Sequence, residues 1–298
     1  MSIILGMDIG GSAIKYGWGT REGLQRFGAI QLAKKNMDEF HQVTSLILEQ
    51  VDKELGLKSV AAVGIGSPGT IEHSSGKTRG VNPNLPFWTD CAPAHLIPSS
   101  LNIPVFVDND ANLMALAEAH HHHAQHALGI TVGSGIGGGI VLNGDIYHGA
   151  NGFAGEFGHV TVVDNGSLCN CGRRGCLEAY ASVDGLRRRL ELEDARFAGM
   201  SLSSLLELHD SRVDEAIRTG HKCLVSAIVN YVTMFDPEYV ILGGGGMDAG
   251  MYNPGEIQKD MEHVLAEVNR GKVKVVKAYH GNKAGVWGAI LLASKGIK

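Results

Sequence analysis

The sequence predicts a two-domain α/β fold that contains duplicated β-hairpins with glycine turns. Apolar, strand-like runs end in glycine turns near residues 8–12 and again near residues 131–135, and each run resumes as a second strand. A pattern that returns in successive halves of a chain indicates an internal duplication. The chain has 298 residues, which is enough for two domains that each bury a sizeable core.

The first hairpin lies in the segment ILGMDIGGSAIKYGWG, where an apolar run leads to Asp8 and breaks at Gly10 and Gly11. The turn glycines and Ser12 would let consecutive backbone N–H groups approach an anion, and Asp8 could hold Mg²⁺ through water. With Lys15 on the returning strand, these residues form a candidate phosphate-binding turn. A glycine turn in a hairpin is most often only a turn, so this motif alone is a weak signal.

The second hairpin is predicted from a strand at 127–132, a glycine turn and a returning strand at 137–142. The span is uncharged, but its glycines indicate a buried hairpin and not a membrane helix. A third glycine cluster follows a strand-like run at 239–247 and precedes a predicted helix. The candidate nucleotide-binding residues of these segments are Thr131, Gly133, Ser134, Gly135, Gly243, Gly244 and Gly245.

Between the hairpins, the segment VFVDNDANLMALAEA predicts a buried parallel strand at 105–107 and a helix at 112–119. Asp108, Asn109 and Asp110 therefore fall at a carboxyl strand end, which is where ligands bind in open α/β sheets. Helix capping by Asp or Asn would explain one of these three residues but not all of them.

A compact set of metal-binding side chains lies in GHVTVVDNGSLCNCGRRGC. His159, Cys169, Cys171 and Cys176 make a complete Cys₃His set, which predicts a structural zinc site with no position left for water. The alternative is reduced surface cysteines, or one disulfide and a spare thiol. Glu156 and Glu178 flank the set, so they either form a polar pocket with His159 or are solvated turn residues.

These motifs together resemble a known family. Two facing glycine turns with a third glycine cluster resemble the actin-like ATPase (ribonuclease H-like) domain of sugar kinases, Hsp70 chaperones and actin. The ordered motifs DIGGS, SPG at 67–69, NDAN at 109–112, GSGIGGG, GEFGH, CNCGRRGCLE and ILGGGG resemble the ROK family of bacterial sugar kinases and repressors, over most of the chain.

The resemblance implies roles for individual residues. Asp110 matches the catalytic base, and His159 matches a residue with one ring nitrogen on zinc and the other towards the sugar. ATP and Mg²⁺ are the implied partners of the glycine turns, and Zn²⁺ is implied at the cysteine cluster. The implied substrate-binding residues are Gly69, Asn82, Asn109, Asp110, Glu156, His159 and Glu178.

The predicted function is ATP-dependent phosphorylation of a hexose hydroxyl. Glucose is the first choice because NPNLPFWTD at 82–90 resembles a loop of ROK glucokinases. N-acetylmannosamine, N-acetylglucosamine and fructose kinases are the close alternatives. A ROK-type sugar-responsive regulator is the alternative outside enzymes, and it is disfavoured because only seven residues precede Asp8, where such repressors carry a helix-turn-helix domain.

Composition sets the remaining expectations. A net charge of −5 argues against a general nucleic-acid surface, and five cysteines with a zinc assignment for three do not suggest a disulfide framework. The apolar start stops at Asp8 without a basic leader, which predicts a cytoplasmic protein. We also expect a homodimer or a higher homo-oligomer.

The predicted domains are residues 1–118 with the C-terminal helix 284–298, and residues 119–283 with the zinc loop. We expect them to close around sugar and ATP and so exclude water. The run His120 to His123 is interpreted as an exposed helix end or an interdomain loop.

Overall fold

The computed structural model describes residues 2–34, 36–72, 75–80 and 85–297. It confirms a mixed α/β fold with two main sheets. The chain forms two compact units, of which the first comprises 1–117, 147–154 and 282–298, and the second 118–146 and 155–281. The predicted boundaries keep 147–154 in the second domain, whereas the contacts group this segment with the first unit. The predicted sugar ligand Asn82 lies outside the described residues.

Strands and helices follow one another in groups along the chain. The strands are β1 (Ile3–Ile9), β2 (Ala13–Thr20), β3 (Gly23–Gln31), β4 (Val60–Ser67), β5 (Thr70–Glu72), β6 (Lys77–Arg79), β7 (Val105–Asn109), β8 (Ala127–Val132), β9 (Ile136–Leu142), β10 (Asp145–Ile146), β11 (Tyr239–Gly243) and β12 (Lys274–Lys277). The helices are α1 (Met37–Leu55), α2 (Asp110–His121), α3 (Glu178–Ala181), α4 (Val183–Glu193), α5 (Leu202–Glu207), α6 (Ser211–Phe235), α7 (Gly245–Asp248), α8 (Pro254–Val264) and α9 (Ala284–Gly296).

The two main sheets share one pairing pattern. In the described residues, the first sheet has the order β3-β2-β1-β4-β7 and the second has the order β10-β9-β8-β11-β12. In each, an antiparallel hairpin is followed by two parallel strands. Parallel strands must be joined by crossovers, and here helices and loops supply them. The internal duplication predicted from the glycine turns is therefore present in the topology.

Helix α9 covers the first sheet and packs on β1, β2 and β4. The approach is close because glycines remove side chains at the contacts. A Cβ at Gly64 would collide with the backbone of Ala289, and one at Gly288 would collide with the backbone of Leu113. Any larger residue at either position would force the helix away from its partner.

Helix α1 illustrates why these segments are helical. Asn36 caps its start, because the side-chain oxygen accepts the Glu39 N–H at 2.9 Å. Phe40 and Ile47 lie on its buried face, and Gly56 ends it with a positive φ of 77°. Apolar residues at helical spacing thus bury one side against the sheet. Among the described helices, none is both long and apolar enough to cross a membrane.

The histidine run at 120–123 is only partly exposed, which corrects the interpretation of an exposed helix end. Helix α2 ends at His121, whose ring stacks on Tyr279 with centroids 3.9 Å apart. The His122 ring stacks on Tyr239 at 4.6 Å. The aromatic packing explains these two rings, and His120 and His123 remain exposed.

Candidate active site

The first glycine turn places a carboxylate beside a cation. Asp8 and Lys15 are partners across the β1–β2 hairpin, and Lys15 Nζ lies 3.2 Å from Asp8 Oδ2. The Asp8 side chain is mostly buried, and Gly10 closes the turn by donating its N–H to Ala13. A Cβ at Gly285 would come within 2.6 Å of Asp8 Cγ, so the start of α9 leaves room for this carboxylate only because residue 285 is glycine. No local sequence pattern predicts that contact.

Asp110 is the first residue of α2 and lies partly buried in the first unit. Burial raises the pKa of its carboxyl group to about 7, and the nearby negative charge of Asp8 acts in the same direction. Lys15 and the Ala111 N–H oppose the shift. A carboxyl group poised near neutral pH at a carboxyl strand end is what a general base requires.

Asn109 caps α2, and both the oxygen and the nitrogen of its side-chain amide form hydrogen bonds with backbone groups. Its oxygen accepts N–H groups from Ala111 at 2.9 Å and Asn112 at 3.2 Å, and its Nδ2 donates to the Gly69 carbonyl at 3.1 Å. Asn109 is therefore the residue of the three that helix capping explains. Gly69 itself has a φ of 83°, which suits the turn after β4.

Asp108, which the sequence places at the carboxyl strand end without a specific role, is more deeply buried than the two residues that follow it, with 2% of its surface exposed. Its Oδ2 lies 2.6 Å from Nε2 of His148. His148 belongs to the segment 147–154. Sequence reasoning missed this pair because forty residues separate its members and neither position belongs to a recognisable motif.

The glycine turns of the second unit lie at the ends of two paired strands. Thr131 at the end of β8 pairs with Gly243 at the end of β11, so the clusters at 133–135 and 243–245 are adjacent. The Thr131 hydroxyl accepts the Gly137 N–H at 3.1 Å, which fixes the β8–β9 hairpin. Ser134 follows in the turn, and its carbonyl accepts an N–H from the start of α4 at 3.3 Å.

The four predicted metal ligands converge. The ligand atoms of His159, Cys169, Cys171 and Cys176 all lie within 4.8 Å of one another. Cys171 Sγ lies 3.7 Å from Cys176 Sγ, and Cys169 Sγ lies 3.7 Å from Nδ1 of His159. No disulfide joins any of the five cysteines. Three sulfurs and one imidazole nitrogen at these separations can hold a tetrahedral metal ion.

Two thiols of the cluster have opposite pKa shifts. Burial raises the pKa of Cys169 to about 12. Burial also acts to raise the pKa of Cys171, but hydrogen bonds from Arg173 and from the neighbouring cysteines outweigh it and lower the pKa to about 7. A thiolate is the form that binds a metal, so Cys171 is the ligand closest to its binding form at neutral pH.

The two flanking glutamates differ in their surroundings. Glu156 is exposed, and its Oε2 lies 3.9 Å from Nε2 of His159, the ring nitrogen that faces away from Cys169. Glu178 is half-buried, with Oε2 accepting the Ile136 N–H at 3.0 Å and Oε1 lying 3.6 Å from Cys169 Sγ. Glu156, His159 and Glu178 therefore gather around the cysteine cluster in the second unit, whereas Asp110 and Asn109 belong to the first.

The chain is similar to known sugar kinases in sequence and in fold. The ROK family model matches residues 4–296. A glucokinase of Thermotoga maritima is 32% identical over 99% of this chain and 98% of its own. A ROK hexokinase structure from Thermus thermophilus has a TM-score of 0.83 at 29% identity and covers 99% of both chains. A ROK glucokinase from Streptomyces griseus, solved with glucose and AMPPNP, has a TM-score of 0.79 at 26% identity, covering 99% of this chain and all of that one. This chain belongs to the ROK family, with the actin-like ATPase fold of its sugar kinases.

Proposed function

We propose that this chain transfers the γ-phosphoryl group of ATP to a hydroxyl group of a hexose, with glucose as the preferred acceptor. Relatives matched over nearly their whole length are sugar kinases, and the chain is one too. The observation that carries the mechanism is Asp110, a partly buried carboxyl group whose pKa is raised to about 7.

Asp110 acts as the general base. It accepts the proton of the sugar hydroxyl, O6 in the case of glucose, while that oxygen attacks the γ-phosphorus and ADP leaves. A base with a pKa near the working pH is substantially ionised, about half at pH equal to pKa, and is still basic enough to take the proton. Asp8 maintains this balance because its negative charge disfavours ionisation of Asp110.

The nucleotide phosphates are held by the glycine turns. Backbone N–H groups of Gly10, Gly11 and Ser12, with Lys15, supply the first turn. The second set comprises Thr131, Gly133, Ser134, Gly135, Gly243, Gly244 and Gly245. Amides at such turns stabilise negative charge without reorganising during the reaction.

The carboxylate of Asp8 suits Mg²⁺, which prefers hard oxygen donors and usually keeps several waters. Bound with the nucleotide, Mg²⁺ would neutralise charge on the transferring phosphoryl group. Lys15 orients the Asp8 side chain through its 3.2 Å contact.

The sugar is bound by polar groups of the candidate residues. Asn109 and Gly69 supply amide and backbone groups, and Asn82 is assigned to the sugar from the family resemblance. Glu156, Glu178 and Nε2 of His159 supply acceptors and a ring nitrogen. Groups of this kind hydrogen-bond hydroxyls and reject analogues that lack one.

The cysteine cluster holds one structural Zn²⁺. The donor set suits zinc, since the ligand atoms of three thiols and His159 Nδ1 converge within 4.8 Å. With Nδ1 committed to the metal, Nε2 is left to face Glu156 and the sugar. Zinc would supply folding free energy to this loop and fix His159, and it takes no part in phosphoryl transfer.

A coupled ADP-release assay tests the proposal against a panel of hexoses and N-acetylhexosamines. We expect glucose to give the highest kcat/KM and mannose to be measurable. Asp110→Asn should lower kcat by roughly two to four orders of magnitude with sugar binding largely kept, because proton transfer is lost. Asp38→Asn, an exposed site on α1, is the matched control.

Two results would overturn parts of the proposal separately. Near-parental turnover of Asp110→Asn removes the assignment of the base. A higher kcat/KM for an N-acetylhexosamine or fructose removes glucose as the substrate, while the base and the zinc site stand. Light scattering of the purified chain tests the homo-oligomer, which stays a prediction, as does the cytoplasmic location.

A further inference from the structure

The carboxylate of Asp108 has both of its oxygens engaged. Oδ1 accepts the backbone N–H of Asn109 at 2.7 Å and the Nδ2 group of Asn112 at 2.9 Å. Oδ2 lies 2.6 Å from Nε2 of His148. With 2% of the residue exposed, these partners replace the water that a carboxylate would otherwise hold.

The residues that Asp108 holds lie on either side of Asp110. Asn109 precedes the proposed base and Asn112 follows it by two positions. Asn109 in turn receives the N–H groups of Ala111 and Asn112 on its side-chain oxygen. Asp108 therefore holds the first turn of α2 through Asn109, just before the helix, and through Asn112, within its first turn. Asp110 lies between these two residues.

His148 is a hydrogen-bond partner of the buried Asp108 side chain. A buried carboxylate is costly unless it is hydrogen-bonded or paired, and short contacts of this kind are typical of charge-assisted bonds. The ring of His148 is partly exposed. A hydrogen bond from the Ala154 N–H to the His148 carbonyl, at 3.1 Å, joins the two ends of the loop that begins at His148. This loop belongs to the first unit although the chain on both sides of it belongs to the second.

We propose that Asp108 and His148 form a positioning pair for the phosphoryl-transfer reaction. His148 donates its Nε2–H to Asp108, and Asp108 holds the strand-to-helix turn that aims Asp110 at the sugar hydroxyl. Neither residue touches the substrates. The inference rests on the proposed role of Asp110 as the base, and it assigns a function to two residues outside the recognised motifs.

Variants of His148 separate hydrogen bonding from packing. Gln places an amide N–H where the imidazole donor lies, whereas Leu keeps the volume and removes the donor. We expect His148→Leu to lower kcat by roughly 10-fold to 100-fold, because small misplacements of a reacting group carry losses of this size. His148→Gln should stay within about threefold of the parent, and KM for ATP should change little in either variant.

A double-mutant cycle tests whether the two residues act as one unit. Asp108→Ala should lower kcat about as much as His148→Leu, and the double variant should be no worse than the worse single variant. Thermal unfolding of every variant is measured in parallel, since lost stability alone would lower the folded fraction without this pattern in kcat.

Several results would overturn the inference. These are additive losses in the cycle, equal losses for His148→Gln and His148→Leu, or parental kcat in a folded His148→Leu. Asp110→Asn is assayed alongside, because its kcat reports on the base independently of the pair. If Asp110→Asn stays active while His148→Leu is impaired, the base assignment and the positioning role both fail. If only the His148 variants behave as the parent, the base stands without the pair.

Discussion

Glu178 Oε2 accepts a 3.0 Å hydrogen bond from the backbone N–H of Ile136. Glu178 begins α3 two residues after the metal-cluster ligand Cys176, and Ile136 begins β9 directly after the glycine turn at 133–135. A single carboxylate thus joins the cysteine cluster to a turn assigned to the nucleotide phosphates. Its other oxygen faces Cys169 Sγ. Sugar binding and nucleotide binding should therefore share this residue.

Glu178→Ala should raise KM for ATP as well as KM for the sugar. Without the carboxylate, the Ile136 N–H loses its partner and the glycine turn loses an anchor. Initial-rate kinetics with each substrate varied in turn provide the measurement. Glu193→Ala at the exposed end of α4 is the control. A change in the sugar KM alone would show that the turn does not depend on Glu178.

Asp110→Asn should stabilise the folded protein, and more so at pH 8 than at pH 5. The folded-state pKa is raised to about 7, above its ordinary value, so stability from this group is lost as pH rises towards 7. Asparagine does not ionise, so the variant avoids this loss of stability. Because the residue is partly exposed and solvent screens the shift, we expect a gain of about 1–2 kcal/mol at pH 8. Denaturant unfolding at both pH values measures it, and an equal effect at both would contradict the assignment.

Elemental analysis should find one zinc ion per chain, and the Cys171→Ser variant should no longer bind zinc. The sugar KM should then rise because Glu156 and His159 lose their support, and the melting temperature should fall because metal binding contributes folding free energy. Cys223→Ser, a buried thiol outside the cluster, is the control. Unchanged sugar affinity in a metal-free preparation would separate the cluster from the sugar site.

Gly285→Ala should raise the Mg²⁺ and ATP concentrations needed for half-maximal rate. The added Cβ would lie 2.6 Å from Asp8 Cγ and 2.7 Å from Oδ2, so the carboxylate must move. Alanine stabilises a helix relative to glycine, so the effect of the substitution on helix stability alone would not predict a loss of activity. Gly23→Ala, where a Cβ meets nothing within 4 Å, is the control. Parental Mg²⁺ dependence in Gly285→Ala would show that Asp8 tolerates the shift.

The elements that the sequence predicted well are those with local signals. Apolar runs bounded by glycine turns located β1, β8 and β9, and the strand and helix around Asp110 were found with boundaries within two residues. The Cys₃His set was also local, since seventeen positions separate its first and last members along the chain. Short-range patterns suffice where every partner lies in one segment.

The relationships that sequence reasoning missed are long-range. His148 meets Asp108 across forty residues, and Gly285 meets Asp8 only because α9 returns to the first sheet. Neither a histidine nor a glycine predicts a long-range contact by its residue type alone. Asn109 is assigned to the sugar, and the structure shows that its side chain also caps a helix.

The packing of α9 on the first sheet affects how the chain folds during synthesis. Strand β4 leaves the ribosome roughly 220 residues before α9 does, and β1 leaves earlier still. A lead of roughly 220 residues corresponds to about 10–40 s at ordinary elongation rates. Throughout that time, the strip at Gly64 that α9 later covers lacks its partner. The second unit is complete in sequence by residue 281 and can form first. Nascent chains released before residue 284 should therefore be the ones that chaperones retain.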